Sequence, residues 1–237
     1  MRIAAGGAGR GGPSRMGMLA GVVAPGVIAV EAISGAPVEP LLPEEAAALG
    51  VVADGRCREF TAGRSCARQA LAALGAPRVP ILRGASRQPL WPEGVAGSIT
   101  HCAGYCGAAV AWRDRFLSLG IDAEPHAPLP AGVIDKVALP AEREWLSARA
   151  GSGIAWDRVL FSAKESIYKA WFPVTGRWLG FKDASVRFEP DDGTFEARLA
   201  APAETPDGRR LERFDGRMRI ADGLVLTCVS IPALPRS

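Results

Sequence analysis

The order of helix and strand patterns constrains the fold of this 237-residue chain more than any other feature. Residues 155–173 form the longest helical pattern, with an apolar stripe and a proline at its end. Two later segments, 184–200 and 216–231, alternate apolar and polar residues around an Asp-Gly pair, which is typical of β-hairpins. No strand–helix–strand rhythm recurs, so this order predicts an α+β fold rather than a doubly wound parallel sheet.

The first part of the chain carries a second set of helix and strand patterns. Residues 26–34 are β-branched and predict a strand, and residues 56–75 predict a helix that Gly75 ends. Residues from Gly107 onward and residues 118–121 fit a buried β-hairpin. The chain therefore contains helices and strands on both sides of its middle.

A proline-rich stretch at 125–132 is the predicted link between two halves. We expect an N-terminal half over 17–125 and a C-terminal half over 126–237, each with helices and a small antiparallel sheet. The Gly-rich residues 1–16 predict a disordered arm in front of them.

Composition argues against several classes of protein. The chain is 48% hydrophobic and 22% charged, as globular proteins are, and its net charge of +3 is too small to indicate nucleic-acid binding. The five cysteines lack paired C-x-x-C spacing, which argues against a disulfide framework or a zinc ribbon. No apolar run reaches the ~20 residues of a membrane span, and Pro25 and Gly26 interrupt the one segment that mimics a secretory signal. We therefore expect a cytoplasmic protein with reduced thiols.

Two carboxylates stand two residues apart in the stretch GIDAE. If this stretch is a strand, Asp122 and Glu124 leave the same face and repel each other unless solvent or a cation lies between them. Mg²⁺ accepts one or two carboxylates together with substrate phosphates. A metal site is therefore one interpretation of the pair, and a solvated strand end is the other.

The longest predicted helix carries charged residues beside its apolar stripe. Glu165 and Lys169 are neighbours at i,i+4, which an ordinary surface ion pair would also explain. A third carboxylate that met Asp122 and Glu124 would instead complete a metal site. Lys164 and Lys169 would then flank that site as phosphate-binding point charges.

Basic residues cluster on the earlier predicted helix and shortly after it. Arg56 and Arg64 are eight residues apart, close to two helical turns, and with Arg83 they could clamp a terminal phosphate. Thr100 and His101 lie at a strand-like position and could donate hydrogen bonds to a phosphate or to a small polar ligand. Solvated arginines and a structural histidine are the alternatives.

In their combination and order, these motifs resemble those of the 4′-phosphopantetheinyl transferases. The matching features are the basic helix and the stretches SITHC, GIDAE and FSAKESIYKA, and the resemblance covers residues 17–231. It is closest to the monomeric, two-half type that activates siderophore, surfactin and polyketide synthases. The stretches PILRG, WPEG, THCAGY and KAWFPVTGRWLGF resemble the actinobacterial branch in particular.

The resemblance implies a fold, a reaction and partners. The fold would be α+β, with two similar α/β subdomains related by a pseudo-twofold axis and the active site in the cleft between them. The enzyme would transfer the 4′-phosphopantetheine arm of coenzyme A to a serine of an apo acyl- or peptidyl-carrier protein and release 3′,5′-ADP. Mg²⁺ would be the cofactor, with Mn²⁺ as the alternative ion. A monomeric, cytoplasmic enzyme that binds neither nucleic acid nor membrane is implied.

The resemblance also implies a role for each candidate residue. Asp122, Glu124 and Glu165 would hold the metal, and Glu165 would help to deprotonate the serine. Lys164 and Lys169 would steady the pyrophosphate, and Lys169 would belong with Glu165 to the catalytic pair. The residues that would bind the 3′-phosphate and neighbouring groups of coenzyme A are Arg56, Arg64, Arg83, Thr100 and His101.

The chain departs from the family pattern at three places. Arg83 stands where the family often has a lysine, Ala123 cannot supply a metal ligand, and Phe161 or Ser162 stands where a tryptophan is frequent. Two other functions stay open on the residues alone. One is a different Mg²⁺-dependent phosphoester or pyrophosphate hydrolase, and the other is a non-catalytic module that binds coenzyme A or a carrier protein.

Overall fold

The structure is a computed structural model, and it describes residues 17–205 and 208–234. Helices and antiparallel strands form two sheets, and one long helix packs against each sheet. The predicted α+β class with two helix-and-sheet halves is confirmed, while the pseudo-twofold axis stays a prediction. The arm predicted over 1–16 lies outside the described residues. Within the described ranges, no helix combines the length and the apolar character needed to cross a membrane.

The first sheet has three strands and lies against helix α2. Its central strand, β3, is antiparallel to both β1 and β2. Ala67 and Leu71 of α2 share a buried core with Val110 of β3. Helix α2 ends where Gly75 adopts a left-handed φ of 78°, as the sequence predicts. The elements of this half are β1 (Ile28–Ile33), α1 (Pro43–Leu49), α2 (Asp54–Leu74), β2 (Val95–Cys102) and β3 (Tyr105–Trp112).

The second sheet has five strands in the order β4-β8-β7-β6-β5, and all neighbouring strands are antiparallel. The two hairpins predicted near the C-terminus are both present, as β5–β6 and β7–β8. The strands are β4 (Phe116–Pro125), β5 (Ala184–Glu189), β6 (Thr194–Glu204), β7 (Arg210–Ala221) and β8 (Leu224–Pro232). The helices are α3 (Val133–Val137), α4 (Pro140–Ser147) and α5 (Trp156–Thr175).

Helix α5 lies unusually close to strand β4. Its predicted apolar stripe is buried, with Leu160, Ile167 and Trp171 each less than 4% exposed. Gly120 of β4 permits the close approach. A Cβ atom there would lie 2.6 Å from the backbone nitrogen of Ala170 and would clash with the backbone carbonyl of Ser166, both in α5. This contact fixes the distance between β4 and the charged residues of α5.

The strand pairing differs from the sequence prediction at one point. β3 does not form a hairpin with β4, because the two-residue turn at Gly104, where φ is 80°, joins β3 to β2 instead. β1 occupies the other edge of β3, and β4 pairs with β8, which brings Asp122 opposite Thr227. The strand that the predicted boundary at 125 assigns to the first half is thus hydrogen-bonded into the second sheet.

Candidate active site

Strands β2 and β4 run side by side at the junction of the two sheets, and hydroxyl groups of β2 join them. Ser98 Oγ accepts a hydrogen bond from the backbone N–H of Ile121 at 3.1 Å. Thr100 Oγ1 accepts one from the backbone N–H of Ala123 at 3.0 Å. These bonds hold Thr100 beside Asp122, whose Oδ1 lies 3.4 Å from the Thr100 hydroxyl.

The D-x-E strand meets the charged face of α5. Asp122 is only 4% exposed, and Lys169 Nζ donates hydrogen bonds to Asp122 Oδ1 at 2.7 Å and to the Ile121 carbonyl at 3.1 Å. Ala123 is fully buried, so Asp122 and Glu124 flank a residue that belongs to the core. The structure therefore brings the predicted strand and helix residues together.

The second oxygen of Asp122 indicates which kind of ligand this region could bind. Within the ranges that the structure describes, Asp122 Oδ2 is buried and has no hydrogen-bond partner. A buried carboxylate oxygen without a partner is costly, and a hard cation is a suitable partner for it. With Glu124 and Glu165 nearby, the donor set consists of carboxylate oxygens, which fits Mg²⁺.

Glu124 and Glu165 share the electrostatic environment of Asp122. Burial raises the pKa of the Glu124 carboxyl, and the Asp122 charge raises it further. Burial likewise raises the pKa of Glu165, with further increases from Asp122 and Glu124 and a decrease from Lys169. The carboxylates are thus close enough to repel one another. No three acidic, histidine or cysteine side chains among the described residues, however, are arranged as a ready-made metal cluster.

Lys164 lies outside this group and in the core. Its ammonium donates hydrogen bonds to Glu142 Oε2 at 2.7 Å and to the carbonyls of Val137 and Phe181 at 3.0 and 2.7 Å. The side chain is 2% exposed, and all three N–H donors have protein acceptors. These contacts argue against the predicted phosphate-binding role of Lys164, which stays a prediction. One residue along a helix turns the side chain away from Glu165 and toward α4.

The predicted arginines form a cluster around an aromatic ring. The guanidinium groups of Arg64 and Arg83 lie over the ring of Phe60, at 4.0 and 4.9 Å from its centroid. Arg64 is 6% exposed and donates to the Ile81 carbonyl at 2.8 Å. Burial lowers the pKa of Arg64 to about 10, and the positive charges of Arg83 and Arg56 contribute. Cations held this close together favour an anionic ligand.

His101 connects the arginine cluster to the carboxylates. Its Nε2 lies 3.1 Å from Arg56 Nη1, and Glu59 Oε2 lies 3.7 Å from its Nδ1. Burial lowers the pKa of His101, and the charges of both Lys169 and Asp122 act on it. The residues predicted to bind coenzyme A and those predicted to bind metal are therefore neighbours.

Sequence reasoning missed two polar residues of this region. Glu59 Oε2 lies 3.4 Å from Arg56 Nη1, and the same oxygen also faces His101. Arg158 Nη1 donates to Glu124 Oε2 at 2.7 Å. Arg158 precedes Glu165 by seven residues, which is two helical turns, so their shared helix face is a signal that could have found it.

A cavity of about 140 Å³ opens beside Glu165. Its walls include Tyr168, Leu179 and Phe181, together with Trp178, which is 76% exposed. The rings of Tyr168 and Trp178 lie 5.0 Å apart. The region next to the carboxylates therefore has an aromatic, largely apolar lining.

Two family models match the chain, one in each half. The model described as the 4′-phosphopantetheinyl transferase N-terminal domain matches residues 33–111, and the model of the 4′-phosphopantetheinyl transferase superfamily matches residues 118–217. The 4′-phosphopantetheinyl transferase Svp of Streptomyces mobaraensis is 48% identical over 91% of this chain and 90% of its own length. The 4′-phosphopantetheinyl transferase PptT of Mycobacterium tuberculosis is 49% identical over 79% of this chain and 85% of its own length. Enterobactin synthase component D of Escherichia coli (strain K12) is 41% identical over 48% of this chain and 54% of its own length.

These matches in both halves define an enzyme class, the transferases of phosphopantetheine groups. With relatives of this identity over most of its length, the chain belongs to the 4′-phosphopantetheinyl transferase superfamily. The family, the enzyme class and the nearness to actinobacterial members inferred from the sequence are confirmed.

Proposed function

We propose that this protein moves the 4′-phosphopantetheine arm of coenzyme A onto a serine of an apo acyl- or peptidyl-carrier protein and releases 3′,5′-ADP. The observation that carries the proposal is the position of the buried Asp122 carboxylate. It pairs with Lys169, and its charge acts on both Glu165 and His101. An acidic site suited to a cation thus adjoins a basic site, which a ligand with a diphosphate and a terminal phosphate requires.

Asp122, Glu124 and Glu165 would hold Mg²⁺, or Mn²⁺ as the alternative ion. The unpartnered Oδ2 of Asp122 supports this assignment, and so do the raised pKa values of the two glutamates. When bound, the ion would neutralise the charge that develops on the diphosphate during transfer. The methyl group of Ala123 offers no ligand, so backbone or water must fill the remaining coordination positions.

The arginine cluster would hold the 3′-phosphate of coenzyme A. Arg64 and Arg83 approach each other around Phe60, and Arg56 lies against His101. Paired guanidinium groups suit a phosphate, because each can donate two parallel hydrogen bonds. Thr100 holds the strand junction next to this cluster through its bond to β4.

Glu165 would act as the base that accepts the serine proton. Its raised pKa brings the carboxylate closer to neutral pH, where proton transfer from a hydroxyl is easier. The serine oxygen then bonds to the phosphorus that carries the arm. The bond from that phosphorus to the bridging oxygen breaks, and its electron pair leaves with 3′,5′-ADP. Lys169, fixed beside Asp122, would stabilise the diphosphate oxygens.

The aromatic cavity beside Glu165 would receive part of the pantetheine arm. It adjoins the proposed base and is lined by Tyr168, Trp178 and Phe181. A thin chain that lies between rings loses water from its apolar carbons, while its reacting phosphate remains at the carboxylates.

Intact-mass analysis of carrier proteins tests the proposed function. The protein is incubated with coenzyme A, Mg²⁺ and apo carrier proteins of the fatty-acid, polyketide and peptide types. We expect a carrier heavier by one arm and an equal amount of 3′,5′-ADP, and we expect neither in EDTA or with a carrier whose serine is replaced by alanine. Without a heavier carrier, 3′,5′-ADP together with free 4′-phosphopantetheine would instead indicate a pyrophosphate hydrolase, and inorganic phosphate would indicate a phosphoester hydrolase. Binding without turnover would indicate the non-catalytic module.

We further propose that one chain works alone, because both clusters of the site lie within it. Light scattering at the assay concentration should give the mass of a monomer, and a dimer would contradict this. The cytoplasmic location stays a prediction.

A further inference from the structure

Arg158 in the first turns of α5 makes three hydrogen bonds with one guanidinium group. Its Nη1 donates to Glu124 Oε2 at 2.7 Å, its Nε to the Ala127 carbonyl at 3.0 Å and its Nη2 to the Pro128 carbonyl at 3.1 Å. The side chains of Arg158 and Glu124 are 15% and 19% exposed, so the pair is largely shielded from water. Among the described residues that take part in the proposed reaction, Arg158 contacts none except Glu124.

The carbonyls that Arg158 contacts belong to the link between the end of β4 and the start of α3. Two further hydrogen bonds fix the same segment to the start of α5. Asp157 Oδ2 accepts from the Leu129 N–H at 2.8 Å, and His126 Nε2 accepts from the Ala155 N–H at 3.1 Å. The carbonyl acceptors of Arg158 therefore belong to a segment that two further hydrogen bonds hold in place, which favours one position of the guanidinium.

Glu124 needs such a restraint more than Asp122 does. A glutamate has one more rotatable bond than an aspartate and sits at the open end of β4, where holding one rotamer costs entropy. Lys169 holds Oδ1 of Asp122 and leaves Oδ2 without a partner, and Arg158 holds Oε2 of Glu124. Helix α5 thus supplies one cation to one oxygen of each carboxylate on β4.

We propose that Arg158 is a positioning residue, which fixes Glu124 so that its other oxygen, Oε1, can bind the divalent cation. Among the described residues, Oε1 accepts no hydrogen bond, so it remains available for a cation. This inference rests on the metal site proposed above. Partners that orient a metal ligand typically change metal affinity by about 10–100-fold when they are replaced.

A competing role for Arg158 makes the opposite prediction. If the guanidinium only neutralised Glu124 in the absence of metal, the cation would have to displace it. Removing Arg158 would then tighten metal binding rather than weaken it, so the direction of the change separates the two roles.

Mn²⁺ binding to the full-length protein, measured by electron paramagnetic resonance with and without coenzyme A, tests the inference apart from turnover. We expect Arg158→Met to raise the Mn²⁺ dissociation constant by about tenfold or more. Arg158→Lys keeps the charge but donates from one nitrogen, whereas the three bonds of Arg158 come from three nitrogens of a planar group. We therefore expect an increase of the same direction and smaller size. This second variant decides the question if Arg158→Met does not fold.

Arg143→Met is the matched control. Arg143 also binds one carboxylate and two carbonyls. Its Nη1 lies 2.7 Å from Asp135 Oδ1, its Nη2 lies 2.9 Å from the Asp135 carbonyl oxygen, and its Nε lies 3.5 Å from the Ala138 carbonyl oxygen. Its loss should leave Mn²⁺ affinity unchanged. A double-mutant cycle adds a readout that general destabilisation would not reproduce. The Arg158→Met effect should disappear when Glu124 is already alanine, because the acceptor that Arg158 positions is then absent.

The outcomes separate the two proposals. If the wild-type protein binds no Mn²⁺ under either condition, the proposed metal site fails, and the inference fails with it. If the wild-type protein binds Mn²⁺ and the Arg158 variants bind it equally well or more tightly, the metal site stands and the positioning role is overturned. An Arg158→Met effect that persists in the Glu124→Ala background would also overturn it.

Discussion

Glu45 in the first half and Glu142 in the second half stand in the same local structure. Each is the third residue of a short helix that begins with proline, and each carboxylate accepts a hydrogen bond from the leucine N–H three residues earlier, at 3.0 and 2.7 Å. Each also accepts one from a backbone N–H that follows the long helix, namely Ile81 at 2.9 Å and Val186 at 2.8 Å. Both halves thus anchor their long helix around one buried carboxylate.

A buried cation on each long helix completes the match. Arg68 of α2 pairs with Glu45, and Lys164 of α5 pairs with Glu142. Each cation also donates to the carbonyl five residues before its glutamate, at 2.7 and 3.0 Å. The correspondence explains why Lys164 lies in the core, since it occupies the position of a structural arginine in the other half.

The two long helices differ in the charges they carry toward the junction of the sheets. α2 contributes Arg56 and Arg64 to a cluster suited to an anion, whereas α5 contributes Glu165 and Lys169 to a group suited to a cation and its anionic ligand. A shared scaffold can therefore serve two different sites, because the anchor and the helix face that points to the junction of the sheets are set by different residues.

Glu165→Gln is the strongest test of this difference in charge between the two long helices. We expect the transfer rate to fall by about 10²–10⁴-fold, because the change removes a metal ligand and the base together. Carrier mass analysis measures the rate, and circular dichroism should show an intact fold. Gln69, which follows Arg68 as Glu165 follows Lys164, supplies the control. Gln69→Glu should keep the wild-type rate, and a comparable loss there would contradict the division between the helices.

Replacing the buried cations tests whether the two anchors are equivalent. Lys164→Met and Arg68→Met should each lower the free energy of unfolding by about 3–5 kcal/mol, because each leaves a buried carboxylate without its charge partner. Urea denaturation measures this loss. At temperatures where both variants are folded, the KM for coenzyme A should not change. A higher KM without a loss of stability for Lys164→Met would restore its predicted role at the phosphate.

The helix–sheet contacts of the two halves should respond differently to one added methyl group. Gly120→Ala places Cβ against the backbone of α5, so we expect a loss of about 1–3 kcal/mol in unfolding free energy and a slower transfer. Gly63→Ala on α2 places Cβ 3.1 Å from Cγ2 of Ile99, which is a single side-chain methyl rather than backbone, and alanine favours the helix. Gly63→Ala should therefore cost much less. Equal costs would show that α5 has room to move.

Arg56→Ala tests the anion site on α2 at an exposed residue, where the fold is not at risk. Loss of one charge-assisted hydrogen bond should raise the KM for coenzyme A by about tenfold, with little change in kcat. The penalty should shrink with dephospho-coenzyme A, which lacks the 3′-phosphate. Arg58→Ala, two residues along the helix, should change neither constant. An equal penalty with both substrates would exclude a 3′-phosphate contact.

The smallest expected effect is on stability in EDTA as a function of pH. The folded-state pKa of Glu165 lies above its unfolded value, so folding favours the protonated form, and the carboxyl costs stability as pH rises through that interval. Glu165→Gln should therefore unfold at a slightly higher temperature than the wild type at neutral pH. The gain should vanish below the unfolded pKa of about 4.3. A gain that stayed constant with pH would mean that packing, rather than charge, causes it.

Local patterns predicted much of the site because they depend on short-range geometry. The period of a strand places Asp122 and Glu124 on one face whatever the strand pairs with, and the period of a helix separates the stripe of Leu160 and Ile167 from Glu165. Strand pairing was predicted less well. β4 pairs with β8, which is far away in the chain, while the nearer strand β3 is taken by its own short turn.

The fold class, the family and the residue types of the site can be read from the sequence, because they follow from local periodicity and from motif order. Which charges face the site depends on the packing of the folded chain. Lys164 and Lys169 look equivalent as letters, but one is neutralised in the core by Glu142 and the other meets Asp122. The physical reason is that burial and partners, which set the state of a charged group, come from segments distant along the chain.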